Sequence, residues 1–406
     1  MKLHANVTSS FQGRSSILTL RNVPRALKKL TLRTSMSLKT GIVGLPNVGK
    51  STLFNALTEN AAAQTANFPF CTIEPNVGIV AIPDERLKVL SQISSSENII
   101  PAFVEIVDIA GLVKGASEGQ GLGNKFLSNI RECDAIIHTV RCFDDDEVIH
   151  VDGRVNPVED VATINFELAL SDLLQVERRI DRLKKGKAKS PTEKAQEAAE
   201  LEVLERVSLS LESGIPVRVL KLCEDESVLL STLNLLTQKP CIYAANVCES
   251  DLRTKGSGNI YVENLLDLAN SEGSAVCIVS AKIESELVQM ELEEREFFLE
   301  ELGVKEVGLP ALVRAVYKQL KLQTYFTTGE KETRAWTTKI GATAPQAAGV
   351  IHTDFERGFI KAETVSYQDY VVSEGFAKAK EKGLWRLEGK EYVVKEGDIM
   401  VFKFNV

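Results

Sequence analysis

Gly44-Leu45-Pro46-Asn47-Val48-Gly49-Lys50-Ser51 follows the β-rich run Thr40-Gly41-Ile42-Val43 and precedes Thr52-Leu53-Phe54-Asn55-Ala56-Leu57, which has helical texture. The stretch fits G-x-x-x-x-G-K-S. In that pattern Gly44 and Gly49 let the backbone N–H groups of the loop, Val48 among them, turn inward around phosphates. Lys50 reaches the β- and γ-phosphates, the Ser51 hydroxyl can ligate Mg²⁺, and Thr52 opens a helix whose N-terminus favours anions. Glycine-rich turns before helices are common, so the pattern gains its meaning from the strand–loop–helix context. It predicts an α/β domain that binds a nucleoside triphosphate.

Outward from this loop, short apolar β-rich runs alternate with helical stretches. They include Val77 to Ile82, Phe103 to Val107, Ala135 to Val140, Cys241 to Ala245 and Ala275 to Val279. Such alternation predicts a largely parallel sheet covered by helices. The run Phe103 to Val107 ends in Asp108-Ile109-Ala110-Gly111. An Asp there can hold Mg²⁺ through water, and the Gly111 N–H can sense the γ-phosphate. Thr72, in Asn67-Phe68-Pro69-Phe70-Cys71-Thr72, stands between these motifs, where a switch threonine would complete the Mg²⁺ shell. Asn246-Val247-Cys248-Glu249 closes a later strand as a base-contacting motif would, and Ser280-Ala281-Lys282 closes the next as its supporting loop. Each of the later motifs is weak alone; the order of five is not.

The alternation is interrupted between about 160 and 215. Leu173, Val176, Ile180 and Leu183 form a helical seam, Lys184 to Pro191 breaks it with charge, Gly and Pro, and Leu201, Leu204 and Leu211 mark a second helix. Two seams joined by a basic turn predict an antiparallel hairpin, either projecting from the sheet domain or packed flat on it. The tip, Lys184, Lys185, Lys187 and Lys189, is either an RNA-contacting arm or a solvated turn. After about residue 322 the texture becomes β-rich, with strand-like runs at Tyr370-Val371-Val372, Tyr392-Val393-Val394 and Ile399 to Phe402.

The chain has 406 residues, 44% hydrophobic and 26% charged, with a net charge of −8. That is room for two or three globular domains, with no overall attraction for nucleic acid. No apolar run is long enough to cross a bilayer, so no membrane insertion is expected. Seven scattered cysteines with no C-x-x-C pair predict reduced thiols rather than disulfides or a zinc site.

The first 36 residues differ. No Asp or Glu occurs before Glu59, while Lys2, Arg14, Arg21, Arg25, Lys28, Lys29 and Arg33 alternate with many Ser and Thr. This is transit-peptide composition, with a basic tail or an RNA-binding arm as the alternatives. The richness in hydroxyl residues favours a plastid over a mitochondrion, and a start at Met36 would leave a cytoplasmic form.

Gly-Leu-Pro-Asn-Val-Gly-Lys-Ser-Thr from Gly44, Asn-Phe-Pro-Phe-Cys-Thr-Ile-Glu-Pro-Asn from Asn67 and Asp-Ile-Ala-Gly-Leu-Val-Lys-Gly-Ala-Ser from Asp108 closely resemble the YchF, or Obg-like ATPase, subfamily of translation-factor-related P-loop GTPases. The likeness continues through Gly121 to Leu127, Thr324 to Trp336 and Ala344 to His352, and spans about residues 38 to 406. It implies an OBG-type G domain over 37–321, interrupted by the antiparallel helical hairpin at about 160–215, and a C-terminal β-grasp (TGS) domain over 322–406. It also implies a switch associated with the ribosome or ribosomal RNA. No residue pattern speaks to oligomeric state.

Two departures from ordinary GTPases bear on mechanism. Guanine recognition uses Asn-Lys-x-Asp, whereas Val247 and Glu249 replace the lysine and the aspartate here. The spacing allows relaxed specificity, and the resemblance implies ATP over GTP with Val247 beside the adenine. Leu112 replaces the glutamine that orients the attacking water, so turnover is slow or uses another group. Asn47 either helps hold K⁺ beside the β- and γ-phosphates or shapes the loop. The rival readings are a GTP-dependent ribosome-assembly factor and a slow nucleotide sensor in stress regulation. A small-molecule kinase leaves the switch and base motifs unexplained.

Overall fold

A computed structural model describes residues 38–65, 76–109, 122–148, 150, 153–186, 190–304 and 306–405. From the N-terminal side run β1 (Lys39–Val43), α1 (Lys50–Thr65), β2 (Val77–Ala81), α2 (Arg86–Ser94), β3 (Asn98–Ile100) and β4 (Phe103–Asp108). Next come α3 (Leu122–Glu132), β5 (Ala135–Arg141), α4 (Pro157–Lys185), α5 (Pro191–Glu212), α6 (Glu224–Ser231) and β6 (Cys241–Asn246). Helices α7 (Glu249–Arg253) and α8 (Ile260–Glu272) precede β7 (Ala275–Val279). After it come α9 (Ala281–Val288), α10 (Leu292–Leu302) and α11 (Gly308–Gln319).

These strands form a six-stranded sheet in the order β2-β4-β1-β5-β6-β7, with β3 left out. All pairs are parallel except β2 with β4. Strands β5 and β6 are buried at every residue, as helix-covered parallel strands are, His138, Thr139 and Arg141 included.

The remaining elements are β8 (Leu322–Thr328), β9 (Glu332–Lys339), α12 (Ala344–Ile351), α13 (Thr353–Arg357) and β10 (Phe359–Ser366). The chain then closes with α14 (Tyr367–Val372), α15 (Phe376–Glu381), β11 (Arg386–Glu388) and β12 (Asp398–Phe404). The second sheet has the order β11-β10-β12-β8-β9-β3, so the short strand β3, contributed from before β4, is its edge and pairs parallel with β9. One apolar cluster runs across both sheets, joining Leu57, Leu90 and Ile106 to Phe326, Val365 and Ile399.

Two of the strand-like runs are not strands. Tyr370 to Val372 lies in α14, because Ser366 caps that helix by accepting the Asp369 N–H at 3.2 Å, and Tyr370 is buried while Val372 faces out. The cap and the helical spacing outweigh the β-propensity of Tyr and Val. Tyr392 to Val394 makes only a bridge, Thr343 to Val393; its carbonyls instead accept from Ala344 N–H and from Gln323 Nε2, each at 2.8 Å.

Helix α4 starts on an Asn156 cap with Pro157 at N1, and α5 on a Ser190–Glu193 capping box with Pro191 at N1. The first half of α4 packs Val161, Ile164 and Leu168 on the parallel sheet. The second half leaves that core and buries Val176 and Ile180 against Val203, Leu204, Val207 and Leu211 of α5, with Leu173, Leu183 and Leu201 partly covered at the margin. Each buried Val, Leu or Ile there contributes about 1.5–3 kcal/mol. A two-pronged Arg179–Glu200 pair at 2.7 and 2.8 Å fixes the register of the hairpin. At its root the Arg131 guanidinium, from the end of α3, donates to Ser171 Oγ and Gln175 Oε1 of α4 at 2.8 and 2.6 Å.

Candidate nucleotide site

The phosphate loop joins β1 to α1 and is pinned by Leu45 and Val48, both buried. Its curvature needs a left-handed backbone at Asn47 (φ 61°) and Gly49 (φ 90°). Asparagine is among the few side chains that tolerate that region, and glycine is indifferent to it. At Gly49 a Cβ would also stand 2.4 Å from Asn246 Nδ2, so sterics and backbone both demand glycine. Helix α1 has no acidic residue in its first turn, leaving its positive end uncompensated.

Lys50 is 8% exposed. Its Nζ donates to Ile109 O at 2.7 Å and to Asp108 Oδ1 at 3.2 Å. One ammonium therefore ties the start of α1 to the end of β4, whose register places Asp108 opposite Ile42. Ser51 and Thr52 are exposed in the same first turn. The Ser51 hydroxyl and the Asp108 carboxylate are hard oxygen donors of the sort Mg²⁺ takes when substrate phosphates supply most of its ligands. Among the described residues no group of three or more His, Cys, Asp or Glu could hold a metal ion. Thr72, Gly111 and Leu112 lie outside the described residues, as do Lys187 and Lys189 of the hairpin tip.

Asn246 joins the two halves of the site. Its Nδ2 donates to Val48 O and its Oδ1 accepts the Ala281 N–H, both at 2.9 Å. Asn246, 5% exposed, thereby clamps the phosphate loop to the Ser280-Ala281-Lys282 loop. The expectation gave this residue to the base; the structure shows it bracing the two loops that flank that position.

Val247, expected beside adenine, is 2% exposed and packs in the core, while its amide donates to Val279 O at 2.9 Å. Glu249 and Lys282 are exposed at the first turns of α7 and α9, and Ser280 and Ala281 are buried. Gly44 and Val48 are buried too, and Asn47 is exposed.

Two residues that the motifs did not reveal support this end. Asn259 caps α8 by accepting from Tyr261 N–H at 2.9 Å, and its Nδ2 donates to Asp251 Oδ2 at 2.7 Å and Cys142 O at 2.9 Å, bracing α7 against the end of β5. An Asn before an apolar helix is a readable cap, but its tertiary bonds leave no local signal. The other is Glu284, buried on α9.

Comparison with known proteins identifies the family. A C-terminal YchF GTPase family model, described as a protein of unknown function, matches residues 322–405, and a 50S ribosome-binding GTPase model matches residues 39–172. The ribosome-binding ATPase YchF of Bacillus subtilis is 52% identical over 372 residues, covering 91% of this chain and all of that protein. The Pasteurella multocida ribosome-binding ATPase YchF is 53% identical over 371 residues, with the same coverage. The structure of the Schizosaccharomyces pombe YchF GTPase superposes with a TM-score of 0.82 at 40% identity, covering 90% of this chain and 98% of that one.

Proposed function

The chain belongs to the YchF family, and from that premise we propose that it is a ribosome-associated switch driven by hydrolysis of ATP, with GTP a secondary substrate. Its enzymatic activity is that of a P-loop nucleoside triphosphatase cleaving the β–γ phosphoanhydride. The observation that carries the reading is the Asn246 clamp, which builds the base loop onto the phosphate loop and so selects for a whole nucleotide rather than a phosphate. Val247 and Glu249 replace the lysine and aspartate that read guanine, which favours adenine. GTP keeps second place because Glu249 still presents an exposed carboxylate at the guanine-reading position.

Backbone amides from Gly44 to Ser51 and the N-terminus of α1 hold the phosphates. Lys50, already drawn to the end of β4, neutralises charge developing on the β–γ bridge and γ oxygens. Ser51, Thr72 and Asp108 would hold Mg²⁺, which when bound supplies further neutralisation of phosphate charge. Asn47 would help hold K⁺. Gly111 would report on the γ-phosphate. With Leu112 unable to hydrogen-bond water, turnover is slow.

The β-rich end would act as a TGS domain and, with the hairpin, would display the nucleotide state to the ribosome. Among the described residues no helix is long and apolar enough to cross a membrane. The basic, acid-free first 36 residues are proposed as a plastid address, checked by N-terminal sequencing of the mature protein; an intact Met1 in the cytosol refutes it.

Hydrolysis in K⁺ and in Na⁺, together with co-sedimentation with ribosomes in ATP and in ADP, tests the rest. Faster turnover in K⁺ and nucleotide-dependent sedimentation are expected. Equal rates in both salts remove the Asn47 role, and equal sedimentation removes the switch.

A further inference from the structure

Glu284 is a buried carboxylate, 1% exposed, that neither the phosphate loop nor the base motif explains. It stands one helical turn beyond Ser280 on α9. Its Oε1 accepts the Leu309 N–H at 2.8 Å, and the Gly308 N–H also bonds the carboxylate, so it caps α11 from another helix. Among the described residues it has no ion-pair partner, and burial pushes its carboxyl up to about 7.

A buried acid without a counter-charge is a costly cap. A serine at the N-cap would do the local task, as Ser190 does for α5, but α11 has Val307 there with no side-chain bond. What the remote acid adds is a tie between α9 and α11. Helix α11 begins hard against β7, since a Cβ on Gly308 would lie 2.3 Å from Ile278 O. At the other end of the same turn of α9, Ala281 N–H donates to Asn246, which holds Val48. Beyond its start, α11 buries Leu309, Leu312, Val313 and Val316 in the cluster shared by both sheets and leads into β8.

We propose that Glu284 is a positioning residue for the base side of the nucleotide site. It fixes the N-terminus of α9, with Ala281 and Lys282, under the base and joins that loop to the helix entering the second sheet. The proposal rests on the nucleotide-hydrolase reading, and the experiment separates the two.

ATP hydrolysis by the full chain is compared for wild type, Glu284→Gln, Glu284→Ala and the double variant Glu284→Ala/Val307→Ser. Glu284→Ala is expected to raise KM for ATP about tenfold with kcat within about twofold, since a displaced base loop weakens binding rather than chemistry. Glu284→Gln keeps a carbonyl acceptor and should stay within about twofold of the wild-type KM. The double variant regains a local cap, so its Tm should recover while its KM stays high. An unchanged KM in Glu284→Ala overturns the proposal, and so does recovery of KM together with Tm in the double variant. If the wild type hydrolyses neither ATP nor GTP, the hydrolase reading falls alone. The same four-way comparison then runs on the Kd for ATP, with the same expected ratios.

Discussion

At the phosphate loop, the parts are joined through backbone and one amide side chain: the carbonyl of Val48, the N–H of Ala281 and the Asn246 side chain between them. At the seam between the two sheets, side chains make the joint. The Arg86 guanidinium binds Asp84 with two prongs, reaches Glu396 at 2.6 Å and lies over the Phe326 ring at 4.8 Å. Beside it, hydroxyls of Ser94, Ser96, Thr328, Thr333 and Tyr370 lie 2.6–2.8 Å apart in succession. A backbone joint tolerates few residue types because curvature and close approach exclude the others. A side-chain joint shares its energy over many modest bonds, each replaceable.

The contrast is broken most sharply at Lys50. Lys50→Ala should lower kcat/KM for ATP by ~100-fold or more, since the ammonium acts on developing charge, while circular dichroism stays native. A remaining rate within tenfold of wild type would move catalysis elsewhere. Gly49→Ala comes next. The left-handed backbone and the 2.4 Å approach to Asn246 predict a loss of ~1–3 kcal/mol in stability together with weakened ATP binding, read by denaturant melts and calorimetry. A variant that binds ATP normally would show the loop to be freer than its geometry.

Glu284 gives a pH test of the side-chain style of joint. Its folded value, about 7, lies above the usual carboxylate range, so its ionisation opposes folding increasingly as pH rises through that range, and the penalty is complete above 7. Glu284→Gln removes it. The Tm of the variant relative to wild type should therefore climb between pH 5 and pH 8, by up to ~2–3 kcal/mol of stability. A flat difference would mean the acid is compensated. The smallest effect belongs to the seam: Arg86→Lys keeps charge but loses the fork, and should cost ~1 kcal/mol by urea melt with KM for ATP unchanged. A shift in KM would show that the seam, too, reaches the site.

The same difference explains what could be read from residues alone. Gly49, Lys50, Asp108 and Asn246 were legible because phosphate wrapping and strand-end chemistry need those types at those spacings. The hairpin was legible through the three–four spacing of Leu173, Val176, Ile180 and Leu183, which the packing of α4 on α5 uses. The seam was not, since serines and threonines in α2, the turn after it, β8 and β9 are ordinary surface residues until a partner sheet arrives. Strand β3 has three residues, Asn98, Ile99 and Ile100, and acquires its identity from β9. Tyr370 was misread because β-propensity ignores the Ser366 cap, and the burial of Val247 was not visible because a motif position does not reveal which way its side chain packs. Glu284 carries no motif, and its role exists only where Leu309 meets α9.

Nucleotide preference is the property on which the switch turns. Steady-state hydrolysis of ATP and of GTP by the purified full chain, in Mg²⁺ and K⁺, measures it directly. A higher kcat/KM for ATP than for GTP is the predicted result; a clear preference for GTP would contradict the adenine reading of Val247 and Glu249.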